Sequence, residues 1–212
     1  MSRLPSTVRQ LLAAVRGLIV LTVICGIVYP LVVFGIAQAA FHRQANGSMV
    51  TGPNGRVVGS SLICQEFLDA KGNPLPQYFQ PRPAASATSA TNQIGGCNPL
   101  VTGASNLGPN NPVLVQDIRA RQQAVAAFDH VPVSAIPADA VTASASGLDA
   151  YISPQNAAIQ VNRVAAARHI SLAAVRSLVA TYTFGRPIGI LGEPGVNVLL
   201  LNIALDKRYP VR

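Results

Sequence analysis

The stretch GLIVLTVICGIVYPLVVFGIAQAAF, residues 17–41, carries no formal charge over twenty-five positions and decides the architecture of the chain. A helix needs about 20 apolar residues to cross a hydrocarbon core of about 30 Å, so this run predicts one transmembrane helix. A signal peptide cleaved near Ala37-Gln38-Ala39 is the alternative, although its apolar region would be only about 7 to 15 residues long. Pro30 lacks a backbone donor and predicts a kink near the middle of the helix.

The basic residues that flank the span predict its orientation. Arg3, Arg9 and Arg16 precede it without an acidic residue, whereas the stretch that follows is mainly Gln, Asn, Gly and Ser. Basic flanks tend to stay in the cytoplasm. We therefore expect a cytoplasmic N-terminus at 1–16, a transmembrane helix at 17–41, a linker at 42–55 and one extracytoplasmic domain at 56–212.

The charge and histidine patterns limit the ligands of this domain. The net charge is +8, but no run of four or more basic residues occurs and no aromatic residues are interleaved with them. Nucleic-acid binding is therefore not favoured, and attraction to anionic lipid headgroups accounts for the charge more simply. His42, His130 and His169 stand far apart and lack metal-ligand spacing, so we expect no metal site.

The three cysteines leave two interpretations open. Cys25 lies within the predicted span, and Cys64 and Cys97 lie in the outer domain. In an oxidising compartment the last two could form a disulfide, which would stabilise the fold by roughly 3 to 4 kcal/mol through loop closure. Two unpaired thiols fit the sequence equally well at this point.

Helix start signals indicate three helices in the outer domain. Asn111-Pro112, Ser153-Pro154 and Ser171 each place a capping side chain before an apolar helical pattern. We expect the first helix to end near Asp129 and the second near His169. The inward residues of the second and third helices are predicted to be Ala157, Val161, Val164 and Ala165, and then Leu172, Val175, Leu178 and Val179.

The remaining segments predict strands and a long connection. Residues 56–67 are expected to form the first strand and turn, and the apolar run Val196 to Leu201 a buried strand. Residues 74–111 are too rich in Pro, Gly, Ser and Asn to be regular throughout, although Tyr78-Phe79 should be held in the core. The fold class is therefore α/β mixed, with one transmembrane helix followed by a single α+β domain.

No catalytic motif is found in the sequence. It lacks Gly-x-Ser-x-Gly, a phosphate-binding loop, a dinucleotide glycine fingerprint, His-Glu-x-x-His and the Asp-Lys-Thr-Gly phosphorylation motif. The carboxylates close in sequence, Glu66 with Asp69 and Asp139 with Asp149, are best interpreted as surface or capping groups. We expect that this chain is not an enzyme by itself.

The stretch VTASASGLD, residues 141–149, is unusual because small hydroxylated residues and Gly lead directly into the helix start at Ser153. Such a stretch allows a ligand or another backbone to approach closely and could hold an anion at the helix N-terminus. An ordinary tight turn is the other interpretation, and the physical argument favours it.

Several motifs occur in the same order as in a known family. VTASASGLD and the Ile-Ser-Pro that follows it resemble the C subunit of the bacterial high-affinity potassium-transporting ATPase, the Kdp complex. The resemblance covers essentially the whole chain, and its family-motif or interface candidates are Tyr78, Phe79, Arg82, Ser105, Asn106, Asn111, Thr142, Asp149, Arg163, Arg168, Asn197, Asn202 and Asp206.

The resemblance implies a non-catalytic accessory subunit in the bacterial cytoplasmic (inner) membrane. Its implied partners are a channel-like potassium-binding subunit, a P-type ATPase subunit and the lipid membrane. Potassium, ATP and Mg²⁺ would be handled by the complex, with no cofactor held firmly by this chain. The implied role is to stabilise the complex and shape access to potassium. The alternative is a membrane-tethered extracytoplasmic ligand-binding module or enzyme.

The resemblance also implies a role in raising the ATP affinity of the catalytic subunit. Ser144, Ser146, Gly147 and Gln160 are the nucleotide-contacting candidates on this interpretation. A domain placed outside the membrane would not readily meet cytoplasmic ATP, so a scaffold role for the same four residues is kept as the alternative.

The sequence departs from the family pattern at both cysteines of the outer domain. Cys64 stands where the family usually has Gly, and the segment 84–104 is expanded and contains Gly95-Gly96-Cys97. Because one new cysteine would be of little use without the other, this paired departure supports a Cys64–Cys97 disulfide.

Overall fold

The computed structural model describes residues 5–85 and 94–211. Arg3 and residues 86–93 of the expanded segment therefore lie outside the described residues. Contacts within the chain divide it into two compact units, one that ends at Ser48 and one that starts at Met49.

The first unit is dominated by an apolar helix. It is made of α1, Ser6–Val23, a π-helical turn, Ile24–Val28, and α2, Tyr29–Ala40. Together these span 35 residues with a mean hydropathy of 2.6 in the most apolar window, and this is the one helix in the described part of the chain that is long and apolar enough to cross a membrane. A short helix α3, His42–Ala45, follows.

The π-helical turn ends at Val28, two residues before Pro30. Because Pro30 has no N–H, the carbonyl of Gly26 cannot accept the usual helical hydrogen bond from four residues ahead. The wider turn at Ile24–Val28 surrounds that carbonyl. Turns of this kind are a known source of local bending in helices.

The second unit contains two small antiparallel sheets. β1, Met49–Thr51, pairs with β2, Val57–Ser60. In a three-stranded sheet, β5, Gly195–Asn197, lies between β3, Tyr151–Ile152, and β4, Thr183–Phe184. The predicted mixture of helix and strand is confirmed.

The structure corrects the predicted linker at residues 42–55. This segment contains α3 and β1, and its backbone is paired rather than free, since Gly52 N donates to Arg56 O at 2.9 Å. The hairpin with β2 satisfies the backbone groups of β1, which makes this strand part of the second unit. That unit therefore begins at Met49 instead of residue 56.

Four helices complete the second unit. They are α4, Pro112–Asp129, α5, Pro154–Arg168, α6, Leu172–Thr181, and α7, Val198–Arg208. The three predicted helix starts are confirmed, because the side chains before α4, α5 and α6 each accept a hydrogen bond from a first-turn amide; these caps are Asn111, Ser153 and Ser171.

The prediction of one buried strand over Val196 to Leu201 is wrong. β5 ends at Asn197, and α7 starts at the next residue. Asn197 explains the change of structure, because its side chain accepts a hydrogen bond from Leu200 N at 3.0 Å and caps the new helix. The helix then buries Leu201 and Leu205 one turn apart, each 0% exposed.

The core lies between α5, α6, α7 and residue Phe79, whose ring is fully buried. The inward face predicted for α5 is confirmed, since all four of its residues are at most 3% exposed. On α6, Leu172 was predicted to face inward but is 42% exposed, because it is the first residue of the helix. No helix or strand longer than an isolated bridge occurs between Ser60 and Pro112 in the described residues. The predicted irregular connection is therefore confirmed over residues 74–85 and 94–111.

Candidate functional site

Arg163 on α5 holds the irregular segment 76–80 against the core through hydrogen bonds. Its Nη1 donates to the carbonyls of Pro76 at 2.6 Å and Tyr78 at 2.9 Å. Its Nε donates to Asp129 Oδ1 at 2.7 Å, and both of these side chains are 4% exposed. The guanidinium also lies over the Phe128 ring, 4.2 Å from its centroid. One buried cation therefore connects α5, the end of α4 and a segment about eighty residues earlier in the chain.

Two amide side chains pair with the backbone of the same segment. Asn202 on α7 accepts from Phe79 N and donates to Phe79 O, both at 2.9 Å. Gln160 on α5 accepts from Gln80 N at 2.8 Å and donates to Gln80 O at 3.2 Å. These side chains act as a substitute for a neighbouring strand, because they satisfy backbone groups that would otherwise be buried without partners.

Arg168 completes this arrangement at the edge of the core. It donates to Gln77 O at 2.6 Å and to Asp206 Oδ1 at 2.8 Å. Asp206 Oδ2 accepts from the Tyr78 hydroxyl at 3.1 Å, and the Tyr78 ring stacks on Phe67. Burial, and then the negative charge of Asp206, raise the pKa of Tyr78 above its ordinary value. We call this group the polar clamp, formed on residues 76–80 by Gln160, Arg163, Arg168, Asn202 and Asp206.

Asp129 and Gln80 belong to this site but were missed from the sequence. Asp129 is the last residue of α4, where an acidic side chain interacts unfavourably with the helix dipole. An acidic residue at this unfavourable position was a signal in the sequence that Asp129 has a specific partner. Burial raises the pKa of Asp129, and the Arg163 guanidinium opposes that rise. Nothing local in the sequence marks Gln80, whose amide donates to Phe67 O and Leu75 O.

The Ser/Gly stretch forms a tight turn with internal hydrogen bonds. Ser144 Oγ and Ser146 Oγ are 3.1 Å apart. Ser144 Oγ also accepts from Gly147 N, and Ser146 Oγ accepts from Leu148 N. Gly147 has a φ of +71°, a conformation that glycine adopts without strain. These contacts agree with the tight-turn interpretation.

Gln160 is not joined to this turn by any of its hydrogen bonds. Its Oε1 accepts from Gln80 N and from Arg163 Nη2. Its Nε2 donates to Gln80 O and to Asn156 Oδ1. All four bonding positions of this buried amide are therefore occupied, by Gln80, Arg163 and Asn156. Gln160 and the Ser/Gly turn share no hydrogen bond among the described residues.

The other motif residues have separate structural roles. Asn197 caps α7 and donates to Ser61 O, and Asn111 caps α4. Arg82 pairs with Asp149 at 2.9 Å on a half-exposed surface. The remaining motif residues lie outside these contacts: Thr142 donates to Ala138 O, and Ser105 and Asn106 are exposed in the long connection.

Asp139 and Glu66 hold loops in place. Asp139 accepts from the amide and hydroxyl of Ser153 and from the side chain of Asn156, which fixes the start of α5. Glu66 accepts from Cys97 N at 2.8 Å. These contacts agree with the capping interpretation of the carboxylates.

The two cysteines of the second unit are bonded in the structure. Cys64 and Cys97 have their Cα atoms 5.9 Å apart, and their side chains are buried. Cys64 N donates to Leu148 O, so the bond lies beside the Ser/Gly turn. The long connection is thereby held at this point as well as at the polar clamp.

Fold and site together define the class of protein: an apolar helix suited to membrane anchoring, joined in sequence to an α+β domain whose buried polar residues fix its own loops. In the part of the chain that the structure describes, no three His, Cys, Asp or Glu side chains are grouped as metal ligands. The arrangement suits an accessory or interaction subunit.

Comparison with known proteins identifies the family. The KdpC family model, "K+-transporting ATPase, c chain", matches residues 11–207. The potassium-transporting ATPase KdpC subunit of Sorangium cellulosum is 51% identical over 189 residues, which is 89% of this chain and 93% of the relative. That of Geobacter sulfurreducens is 47% identical over 202 residues, 95% of this chain and 100% of the relative.

The chain therefore belongs to the KdpC family. It is a non-catalytic accessory subunit of a potassium-transporting ATPase, and the alternative of an independent ligand-binding module or enzyme is not favoured.

Proposed function

We propose that this subunit uses its folded domain to stabilise the assembled pump and to shape access of potassium to it. In this proposal the domain docks on a channel-like potassium-binding subunit, and a separate P-type ATPase subunit hydrolyses ATP. The chain contributes a fixed surface and an anchor, while the ion pathway and the phosphorylated residue belong to its partners.

The observation that carries this proposal is the polar clamp. Four polar residues on α5 and α7 form hydrogen bonds with the backbone of residues 76–80; they are Gln160, Arg163, Arg168 and Asn202. Gln80 Oε1 is buried beside this network without a hydrogen-bond partner. The many hydrogen bonds of a buried network rigidify a fold, whereas a catalytic site needs several polar groups free to contact a substrate. The clamp therefore supports a rigid docking module.

We further propose that the domain from Met49 onward is extracytoplasmic and that the chain crosses the bacterial inner membrane once. Arg9 and Arg16 near the start of the long helix favour a cytoplasmic N-terminus. The Cys64–Cys97 disulfide supports the same orientation, because such bonds persist in oxidising compartments.

Neither potassium nor nucleotide is assigned to this chain in the proposal. The internal bonding of Ser144, Ser146 and Gln160 supports a scaffold role for these residues. ATP with Mg²⁺ and potassium are then handled by the other subunits, and any effect on ATP affinity is transmitted through the assembly.

Co-purification tests the proposed assembly. Cells starved of potassium would express the full chain with a C-terminal tag, and a matched strain would express residues 1–48 with the same tag. After mild solubilisation, we expect a channel-like subunit and a P-type ATPase subunit in stoichiometric amounts with the full chain, and a reduced yield with residues 1–48. Recovery of the full chain alone would contradict the proposal.

A further inference from the structure

The two bonded cysteines of the second unit are covered by a part of the chain that comes later in the sequence. Cys64 is 6% exposed and Cys97 is 1% exposed. Cys64 N donates to Leu148 O at 3.1 Å, and Gly147 O lies 3.4 Å from Cys64 Sγ. The Ser/Gly turn therefore lies directly against the bond, and a reacting molecule cannot reach either sulfur atom in the closed domain.

The same turn also holds the segment that carries Cys97. Thr102 Oγ1 donates to Ser146 O at 2.8 Å, and Gly103 N donates to the same oxygen at 2.9 Å. When the Ser/Gly turn packs into place, it thus covers Cys64 and fixes the chain a few residues beyond Cys97. Closure of the domain and burial of the two sulfur atoms are therefore one event.

Formation of the bond requires open access to both sulfur atoms. The thiolate of one cysteine attacks a donor disulfide, breaks its S–S bond and forms a mixed disulfide, releasing one donor thiolate. The second cysteine thiolate attacks that mixed disulfide, the Cys64–Cys97 bond forms, and the second donor thiolate leaves. The two cysteines lose two electrons and two protons, and the donor gains them as a dithiol. Because buried cysteines are unreactive, this exchange must take place before closure.

The reduced domain is able to close without the bond, which limits the time for oxidation. The hydrophobic cluster of described residues around α5, α6 and α7 includes neither cysteine. Small domains fold within about a second, whereas disulfide formation takes seconds to hours, depending on the oxidant. A slow, uncatalysed oxidation would therefore find the sulfur atoms already covered, so a fast donor is required.

We propose that Cys64 and Cys97 are the substrate of an extracytoplasmic thiol–disulfide oxidase, a protein that transfers its own reactive disulfide to them before the Ser/Gly turn covers Cys64. This inference rests on the proposed function, because it requires the domain to be extracytoplasmic. Export that starts from the N-terminal helix brings both cysteines outside before Gly147 and Leu148, which leaves the pair open to the oxidase. Supply of this subunit to the pump then depends on the oxidase.

Pulse labelling in cells tests the donor. The full chain would carry Cys25→Ser, so that only Cys64 and Cys97 report, and would be expressed in a parent strain and in a strain without its extracytoplasmic thiol–disulfide oxidase. Acid quenching and a polyethylene-glycol maleimide would then count free thiols on the labelled chain. We expect the bond to form during the pulse in the parent strain, and about tenfold or more slowly in the other strain.

Oxidation of the purified full chain tests the order of events. The Cys25→Ser chain would be reduced in urea and detergent, and oxidised glutathione would be added either in urea or after dilution, once circular dichroism shows that the fold has returned. We expect bond formation to be about tenfold or more slower after refolding. The matched control carries Leu100→Cys with all three native cysteines replaced by Ser, because Leu100 is 92% exposed. Its single thiol should react at similar rates in both states.

Several outcomes would overturn the inference. Equal rates of bond formation in the two strains would assign the oxidation to small disulfides or oxygen. Equal rates before and after refolding, or a reduced chain that does not refold, would show that closure does not limit the reaction.

Free thiols in the parent strain would also overturn it, and the Leu100→Cys chain then locates the failure. Labelling of this chain by a membrane-impermeant maleimide on intact spheroplasts would mean that the domain is outside and that only the oxidase inference is wrong. Absence of labelling would mean that the proposed extracytoplasmic placement has itself failed.

Discussion

Replacing Arg163 with Met is expected to lower the free energy of unfolding by about 3 to 5 kcal/mol, the typical cost of breaking a buried ion pair by removing one partner. The variant leaves Asp129 buried without its partner and removes the donors to the carbonyls of Pro76 and Tyr78. Urea denaturation of the purified full chain in detergent would measure the loss.

The same variant should show a distinct pH dependence. Burial already raises the pKa of Asp129, and Met at position 163 removes the guanidinium that opposes this rise. The folded variant then binds a proton more readily than the unfolded chain, so its deficit should be smaller at pH 5 than at pH 8.

Arg176→Met is the matched control for this prediction, because Arg176 lies exposed on α6. We expect its unfolding free energy to stay within about 0.5 kcal/mol of the wild-type value. Equal losses for the two variants, or a loss for Arg163→Met below about 1 kcal/mol, would show that the clamp does not hold the domain together.

Removing the disulfide with Cys64→Ser and Cys97→Ser together is expected to lower the free energy of unfolding by roughly 3 to 4 kcal/mol. The bond closes a loop with a sequence separation of 33 residues, and its loss restores conformational freedom to the unfolded chain. Addition of a reductant to the wild-type protein should reproduce most of this loss.

Cys25→Ser supplies the control for the disulfide, because Cys25 is an exposed thiol in the apolar helix and forms no bond in the structure. The unfolding free energy of the Cys25→Ser variant should equal that of the wild-type protein. Mass mapping of the non-reduced protein should recover Cys64 linked to Cys97. Two freely alkylated thiols at these positions would refute the bond.

Local signals in the sequence predicted local structure well. Asn111, Ser153 and Ser171 each marked a helix start, because a capping side chain satisfies amides within its own turn. The inward face of α5 followed from helical spacing alone. The run at Val196 to Leu201 led to the wrong prediction of a single strand, because continuous apolar residues suit a buried helix as well as a buried strand. The helix-capping residue Asn197 within the run was not taken into account.

Some residues of the candidate site were named from the sequence, but neither the whole set nor its arrangement was predicted. Arg163, Arg168, Asn202 and Asp206 were named from the family resemblance, yet nothing local indicated that they converge on residues 76–80. Arg163 and Pro76 are separated by 87 positions, and such pairings depend on the whole fold. Grouping Gln160 with the Ser/Gly turn followed from motif order, whereas its hydrogen bonds belong to the clamp.

Hydrogen bonds connect the helix of the polar clamp to the three-stranded sheet. α5 carries three of the clamp residues, Gln160, Arg163 and Arg168. Asp139 fixes the first turn of α5 through Ser153, the residue that follows β3. β3 in turn pairs with β5 in the three-stranded sheet.

Potassium uptake at low external potassium tests the central claim most directly. Cells lacking their own copy of this subunit would express either the full chain or residues 1–48, which retain the apolar helix, with equal amounts in the membrane verified by immunoblot. We expect the full chain to restore uptake and residues 1–48 to leave it at the level of the deletion strain. Equal uptake in the two strains would show that the folded domain has no part in the function of the pump.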